Sequence, residues 1–256
     1  MVDWGMGRYE QTAAELAPVA EHVISLADLQ HGETAVDLAT GTGNAALLAA
    51  RAGAVVTGLD AASRLVDVAR ARAADEGLQA EFVVGDLGAL PFEDDSFDVA
   101  LSVFGLIFAG DAGRAFDELI RVLRPSGRAF FSVWVPAGPI DAMVGTFGRA
   151  VVAATGSSRK RFAWHDAAAV GELAARHDVE VRIHDGQLRI TGASPEAYLE
   201  AGQRDHPMSI AGRPLLERAG TYQQVLGEAL AILREGNEDP TAFRITTPYR
   251  VVEVRR

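Results

Sequence analysis

The chain has 256 residues, 48% of them apolar, with a formal net charge of −11 and no cysteine. That is enough apolar material for one sizeable core, while the negative charge argues against a nucleic acid or an anionic membrane as partner. The missing cysteine excludes a disulfide, a thiol nucleophile, an iron–sulfur cluster and a cysteine zinc site. Asp3 and Glu10 interrupt the opening segment, so it does not read as a secretory signal. The longest apolar stretch, Val99 to Ala109, is too short to span a bilayer. A cytoplasmic protein is expected.

An N-terminal arm, residues 1–30, places Thr12, Leu16, Val19, Val23 and Leu26 on one helical face, with Pro18 marking a kink or a second helix start. Strands and helices then alternate through residues 31–136. Strands are expected at Thr34–Ala39, Ala54–Leu59, Ala80–Gly85, Phe97–Val103 and Arg128–Val135. Helices are expected at Asn44–Ala52, Ala61–Glu76 and Asp111–Leu123. This rhythm predicts a parallel, doubly wound sheet with right-handed crossovers. After Pro136 the pattern changes. Residues 137–178 hold two helical patterns around a polar loop at 155–161, and Val179–Ile190 reads as a strand. Ser194 caps a further helix. Leu215, Ala219, Tyr222, Leu226, Ala229 and Leu233 form one apolar face on a helix from Arg213 to Glu235, and Ala242–Val254 closes the chain as a strand. The expected fold is α/β and Rossmann-like: a single domain with a mostly parallel, seven-stranded sheet. Segments 137–178 and 192–240 make a helical cap, and 179–191 and 241–254 are its closing strands.

The stretch that carries chemistry is Val36 to Asn44, an apolar run ending in Asp37, then a turn holding Gly41 and Gly43, then an alanine-rich helix. Strand, glycine turn and helix at a sheet's carboxyl edge make a nucleotide-type site. Asp60 lies at the end of the next strand, placed to take a ribose diol. A dinucleotide site shares these features, so an NAD-dependent oxidoreductase and a non-catalytic cofactor-binding module stand as alternatives. Three features weigh against NAD. Asp37 puts a carboxylate on the first strand, where a cationic or amine-bearing ligand suits it, and Gly85-Asp86-Leu87 puts another on the same edge. No tyrosine is followed four residues later by lysine, because Lys160 is the only lysine.

The ordered set Val36 to Asn44, Gly58-Leu59-Asp60, Gly85 to Phe92, Ser96 to Val99 and Arg121 to Gly127 resembles the class I S-adenosylmethionine-dependent methyltransferases, in their UbiE-like small-molecule group. The resemblance implies S-adenosyl-L-methionine as cofactor and a small-molecule acceptor as partner. It implies that Asp37 and the backbone of Ala39, Thr40, Gly41, Thr42 and Gly43 hold the methionine end. It gives Asp60 the ribose hydroxyls, Ala61 the adenine face, Asp86 and the Leu87 amide the adenine amino edge, and Ser102 and Val103 the methionine moiety. Asn44 stands where the family often has a further glycine, and it reads as an N-cap.

Transfer from a sulfonium is an in-line displacement that alignment and water exclusion can drive, with a base needed only if the acceptor must lose a proton. His165 is the first candidate base and His206 the second; His22, His31, His177 and His184 read as structural. Trp4 and Tyr9 could close over the cofactor. Phe147, Phe162, Trp164, Tyr198 and Met208 could line an apolar pocket or form the cap's own core. No metal-ligand spacing is present, and Glu93-Asp94-Asp95 reads as an exposed turn.

Overall fold

The computed structural model describes residues 2–157 and 162–256; the end of the polar loop expected at 155–161 thus lies outside the described residues. The chain divides into two compact units.

The first comprises residues 16–134, 162–186 and 249–256. Its framework is β1 (Thr34–Leu38), α2 (Asn44–Arg51), β2 (Val55–Asp60), α3 (Ser63–Asp75), β3 (Ala80–Val84), β4 (Phe97–Val103), α4 (Ala112–Val122) and β5 (Leu123–Trp134). Before them runs α1 (Tyr9–Ala27), and after them α6 (Ala167–Ala174), with parts of β6 (Glu180–Gly192) and β7 (Phe243–Arg255). The sheet order is β3-β2-β1-β4-β5-β7-β6. The pairs from β3 through to β5 are parallel, and β5 pairs antiparallel with β7. The seven-stranded, mostly parallel, Rossmann-like sheet read from the sequence is the fold. Parallel strands covered on both faces are apolar throughout, and β1 follows this with Ala35, Val36 and Leu38 buried. Asp37 is the exception: it is also buried, paired in register with Gly58 on one side and Leu101 on the other. The strand order reverses between β1 and β4, the place where open α/β sheets bind ligands.

Several local expectations are corrected. α1 is one helix with Pro18 inside it, because Leu16, Val19, Ala20 and Val23 bury a common face that outweighs the lost amide. Residues 124–127, which the sequence leaves between an expected helix and an expected strand, belong to β5, which starts at Leu123 opposite Phe97; the register shifts before Arg128 meets Val99, and Ser126 takes a φ of 68° in the bulge. Residues 162–178, assigned to the cap by sequence, lie in this unit. Trp164 is buried there, edge-on to Phe131 (5.5 Å) and Phe162 (4.8 Å) and packed with Phe116, Val170 and Ala174.

The second unit comprises the described part of residues 1–15, 135–161 and 187–248. It holds α5 (Gly138–Thr155), α7 (Pro195–Asp205), α8 (Pro207–Arg218) and α9 (Tyr222–Glu235). The single helix expected from Arg213 to Glu235 is two, because Gly220 adopts a φ of 70° and ends α8 before Thr221 opens α9. Phe147 and Val151 of α5 pack on Leu216, Tyr222 and Val225, and Tyr198 stacks on Phe243 at 4.7 Å. Phe147 and Tyr198 therefore serve this unit's packing. Among the described residues no helix is long and apolar enough to cross a membrane.

Candidate active site

The turn after β1 is built around two carboxylates. Asp37 Oδ2 accepts from the Thr40 hydroxyl (2.7 Å) and the Ala46 amide (3.1 Å), tying strand, turn and α2 together. Its Oδ1 is buried without a hydrogen-bond partner. Burial raises the Asp37 pKa to about 7; the Thr40 and Ala46 bonds oppose the rise, and the nearby Asp60 charge adds to it. Asp60, at the end of β2, is buried as well. Its Oδ2 accepts from the Gly41 amide and its Oδ1 from the Ala62 amide, each at 2.8 Å. Burial raises its pKa too, against the pull of those amides and that of Ala61. At the end of β3, Asp86 is exposed and folds back to accept from the Gly88 amide at 2.7 Å, with Leu87 half-buried beside it. The fold thus brings the carboxylates of Asp37, Asp60 and Asp86 to the ends of adjacent strands.

Gly41 and Gly43 take φ of 56° and 87°, as a turn of this kind requires. Gly43 is the residue that caps α2, and Asn44 is the first helical residue, which corrects its reading as the N-cap. Asn44 instead accepts from Arg72 of α3 (2.9 Å), which also holds the Thr42 carbonyl (2.7 Å) and hydroxyl (3.2 Å). Ser102 is buried, donates to the Leu38 carbonyl (2.7 Å) and accepts from the Leu106 amide (3.0 Å). Its hydroxyl is spent on fixing the end of β1, so only its backbone is left for a ligand; Val103 beside it is half-buried.

Ala39 carries an unexpected burden, with a φ of 54° where a glycine would be unstrained. Its methyl occupies the space in front of Gly105: a Cβ on Gly105 would overlap it and lie 3.0 Å from both the Leu38 carbonyl and Ser102 Oγ. Gly105→Ala is expected to destabilise by about 1–3 kcal/mol, the cost of overpacking. Ala39→Gly should recover much of that loss in the double variant. A denaturation cycle over the four proteins measures the coupling, and additive effects would disprove the fit.

His165 lies in a turn beside buried Trp164, where its backbone carbonyl accepts from Arg250 at 2.7 Å. His22 bonds the Tyr249 hydroxyl (2.7 Å), His177 bonds Asp117 (2.8 Å), His184 bonds Glu253 (2.7 Å), and the His31 ring lies against Gly53. Asp94 and Asp95 pair with Arg121 and Arg256. No cluster of metal-ligating side chains occurs among the described residues.

The family model for the methyltransferase domain matches residues 36–131, the segment that forms this turn and its sheet. An uncharacterized protein of Mycobacterium tuberculosis (strain ATCC 25618 / H37Rv) is 31% identical over 236 residues, covering 86% of each chain. The chain belongs to the S-adenosylmethionine-dependent methyltransferases. A demethylmenaquinone methyltransferase of Clavibacter sepedonicus is 39% identical over 117 residues, 46% of this methyltransferase and 43% of that protein. Among solved structures, the YcgJ protein of a Bacillus has the same fold, with a TM-score of 0.63, 18% identity and coverage of 95% and 98%.

The methyltransferase's own residues fit S-adenosyl-L-methionine. A buried carboxylate oxygen without a donor suits an ammonium group, and glycines at positive φ leave the backbone open to a ligand. Asp60 retains lone pairs for hydroxyl donors after its amide bonds. Sequence reasoning named Ala39 for its backbone alone and missed Arg72 and Gly105. The arginine carried no local signal, since its partners lie about 30 positions away.

Proposed function

We propose that this methyltransferase transfers the methyl group of S-adenosyl-L-methionine to a small, partly apolar acceptor by in-line displacement. The observation that carries the reading is the unpartnered Oδ1 of buried Asp37 beside the glycine turn. In this reading Asp37 and the backbone from Ala39 to Gly43 hold the ammonium-bearing end. Asp60 takes the ribose hydroxyls, Ala61 packs on the base, and Asp86 with the Leu87 amide reads the adenine amino edge. When bound, the sulfonium supplies an activated methyl group. The protein's part is to orient it and exclude water. Specificity for the acceptor lies between Pro136 and Pro240, and His165 is the first candidate base only for an acceptor that must lose a proton.

Calorimetry with S-adenosylmethionine, its demethylated product and NAD tests the cofactor, followed by an acceptor screen. Asp60→Ala is expected to weaken S-adenosylmethionine binding by about 1.5–3 kcal/mol, the scale of hydrogen bonds to a charged acceptor, with folding retained. Binding of NAD alone would overturn the reading. Unchanged affinity in Asp60→Ala with a native melting curve would remove the ribose assignment.

A further inference from the structure

Among the described residues, five other than glycine take left-handed backbone: Asp28, Ala39, Asp95, Phe104 and Ser126. Aspartate and serine tolerate it because a short polar side chain can bond the nearby backbone. Ala39 and Phe104 have no such means. Each has a φ of 54°, and each directly follows a strand, Ala39 after β1 and Phe104 after β4. These are the two strands between which the sheet order reverses. Strain of this kind persists only where the surroundings enforce it, and it gathers at functional sites.

Three contacts enforce it at Phe104. Its amide donates to Oγ of fully buried Ser132 in β5 at 2.9 Å. Its ring lies flat on Trp134, the last residue of β5 (3.8 Å, 8°). Tyr249 of β7, opposite Trp134 in the register, stands edge-on to the same ring (6.0 Å, 74°). Tyr249 is itself fixed. Its hydroxyl bonds His22 Nδ1 at 2.7 Å, and its ring fills the space beside Gly186, where a Cβ would lie 2.4 Å from it. All of these residues belong to the first unit, together with the glycine turn.

Phe104 in turn fixes the residue after it. Gly105 lies against the Ala39 methyl, and the Leu106 amide donates back to Ser102 Oγ. Ser102 also donates to the Leu38 carbonyl, so the ends of β1 and β4 are tied side by side. Were Phe104 to relax to negative φ, the backbone after β4 would turn away. Gly105 would leave Ala39, and Ala39 would lose the neighbour that confines it.

We propose that Trp134 is a positioning residue for the cofactor: its indole holds Phe104 in left-handed backbone, and Phe104 keeps Gly105 seated against Ala39 at the start of the glycine turn. This rests on the reading that the backbone from Ala39 to Gly43 cradles S-adenosylmethionine.

The test is calorimetry with S-adenosylmethionine on wild type, Trp134→Phe and Trp134→Leu, each also combined with Ala39→Gly. Trp134→Phe keeps a flat ring for Phe104, whereas Trp134→Leu keeps apolar bulk and loses the flat face. Trp134→Leu should weaken binding by about five- to tenfold, up to the full worth of a stacked aromatic pair, while Trp134→Phe stays within about twofold of wild type. Glycine holds positive φ without a seat, so Trp134→Leu should cost little further affinity in the Ala39→Gly background. Coupling is reciprocal. S-adenosylmethionine should therefore slow hydrogen exchange at the Phe104 and Leu106 amides of the unaltered protein, a readout that needs no variant to fold. A tryptophan that only packs would lower the melting temperature of Trp134→Leu and leave the affinity of the folded protein as it was. That result, equal losses in Trp134→Phe and Trp134→Leu, additive effects with Ala39→Gly, or unchanged exchange at both amides would overturn the proposal. If wild type binds no S-adenosylmethionine, the methyl-transfer reading falls with it; binding by wild type together with any of those results sinks the positioning role alone.

Discussion

Asp37→Asn is expected to stabilise the cofactor-free protein at pH 8, leave it unchanged near pH 4, and weaken S-adenosylmethionine binding by about tenfold or more. The stability half follows from the sign of the pKa change. A carboxyl whose folded pKa stands at about 7 against an ordinary 3.8 binds its proton more tightly when folded. Its contribution is therefore full below 3.8 and is lost as the pH rises through about 7. The gap sets a ceiling of about 4 kcal/mol on that loss, and asparagine escapes it while keeping an oxygen for Thr40 and Ala46. The binding half follows from charge: an ammonium placed at the free Oδ1 needs the ionised form, and hydrogen bonds to charged groups are the stronger ones. Wild-type affinity should accordingly rise from pH 6 to pH 8, with up to one proton released on binding. Calorimetry in buffers of different ionisation enthalpy measures that proton. A flat pH profile with no release, or Asp37→Asn binding as wild type, would remove Asp37 from the site.

That prediction needed the structure, although its residue was visible in the sequence. An acidic residue closing an apolar strand before a glycine turn is a local pattern, and so are Asp60 and Asp86 at the ends of the next two strands. What the pattern does not contain is how the side chains are spent. Ser102 looked available because it closes β4, but the Leu38 carbonyl and Leu106 amide consume its hydroxyl. Trp164 could be read as pocket lining or as the cap's own core, because it falls in a segment without the βα rhythm; the rings of Phe131 and Phe162 make it core, but of the sheet unit. The break between α8 and α9 was hidden because Leu215, Ala219 and Tyr222 continue the helical spacing across Gly220, and only the glycine's positive φ ends the helix. Strand, turn and helix are written in neighbours a few positions apart. The assignment of lone pairs and packing partners is written in pairs such as Ser102 with Leu38, 64 positions apart, and one sequence does not display those.

The two turn glycines should fail in different ways. Gly43→Val is expected to cost about 2–5 kcal/mol of stability, more than its place in a ligand turn suggests. A Cβ there would sit 3.3 Å from Ala69 Cβ and 3.5 Å from both Leu47 and Phe82, so valine's branches must displace packed neighbours. Its φ of 87° adds the penalty of a branched side chain in left-handed backbone. Gly41 acts through its backbone instead, because its amide donates to Asp60 Oδ2 and its φ of 56° aims that amide. Gly41→Ala should cost only about 1 kcal/mol of stability while lowering S-adenosylmethionine affinity at least about tenfold, since the added methyl sits on the backbone proposed to cradle the cofactor. Thermal melts and calorimetry on both variants separate the effects. Full cofactor affinity in a folded Gly41→Ala would mean that the turn orders Asp60 without touching the ligand. An undiminished melting temperature in Gly43→Val would mean that Ala69, Leu47 and Phe82 can part, and that the glycine is there for the ligand after all.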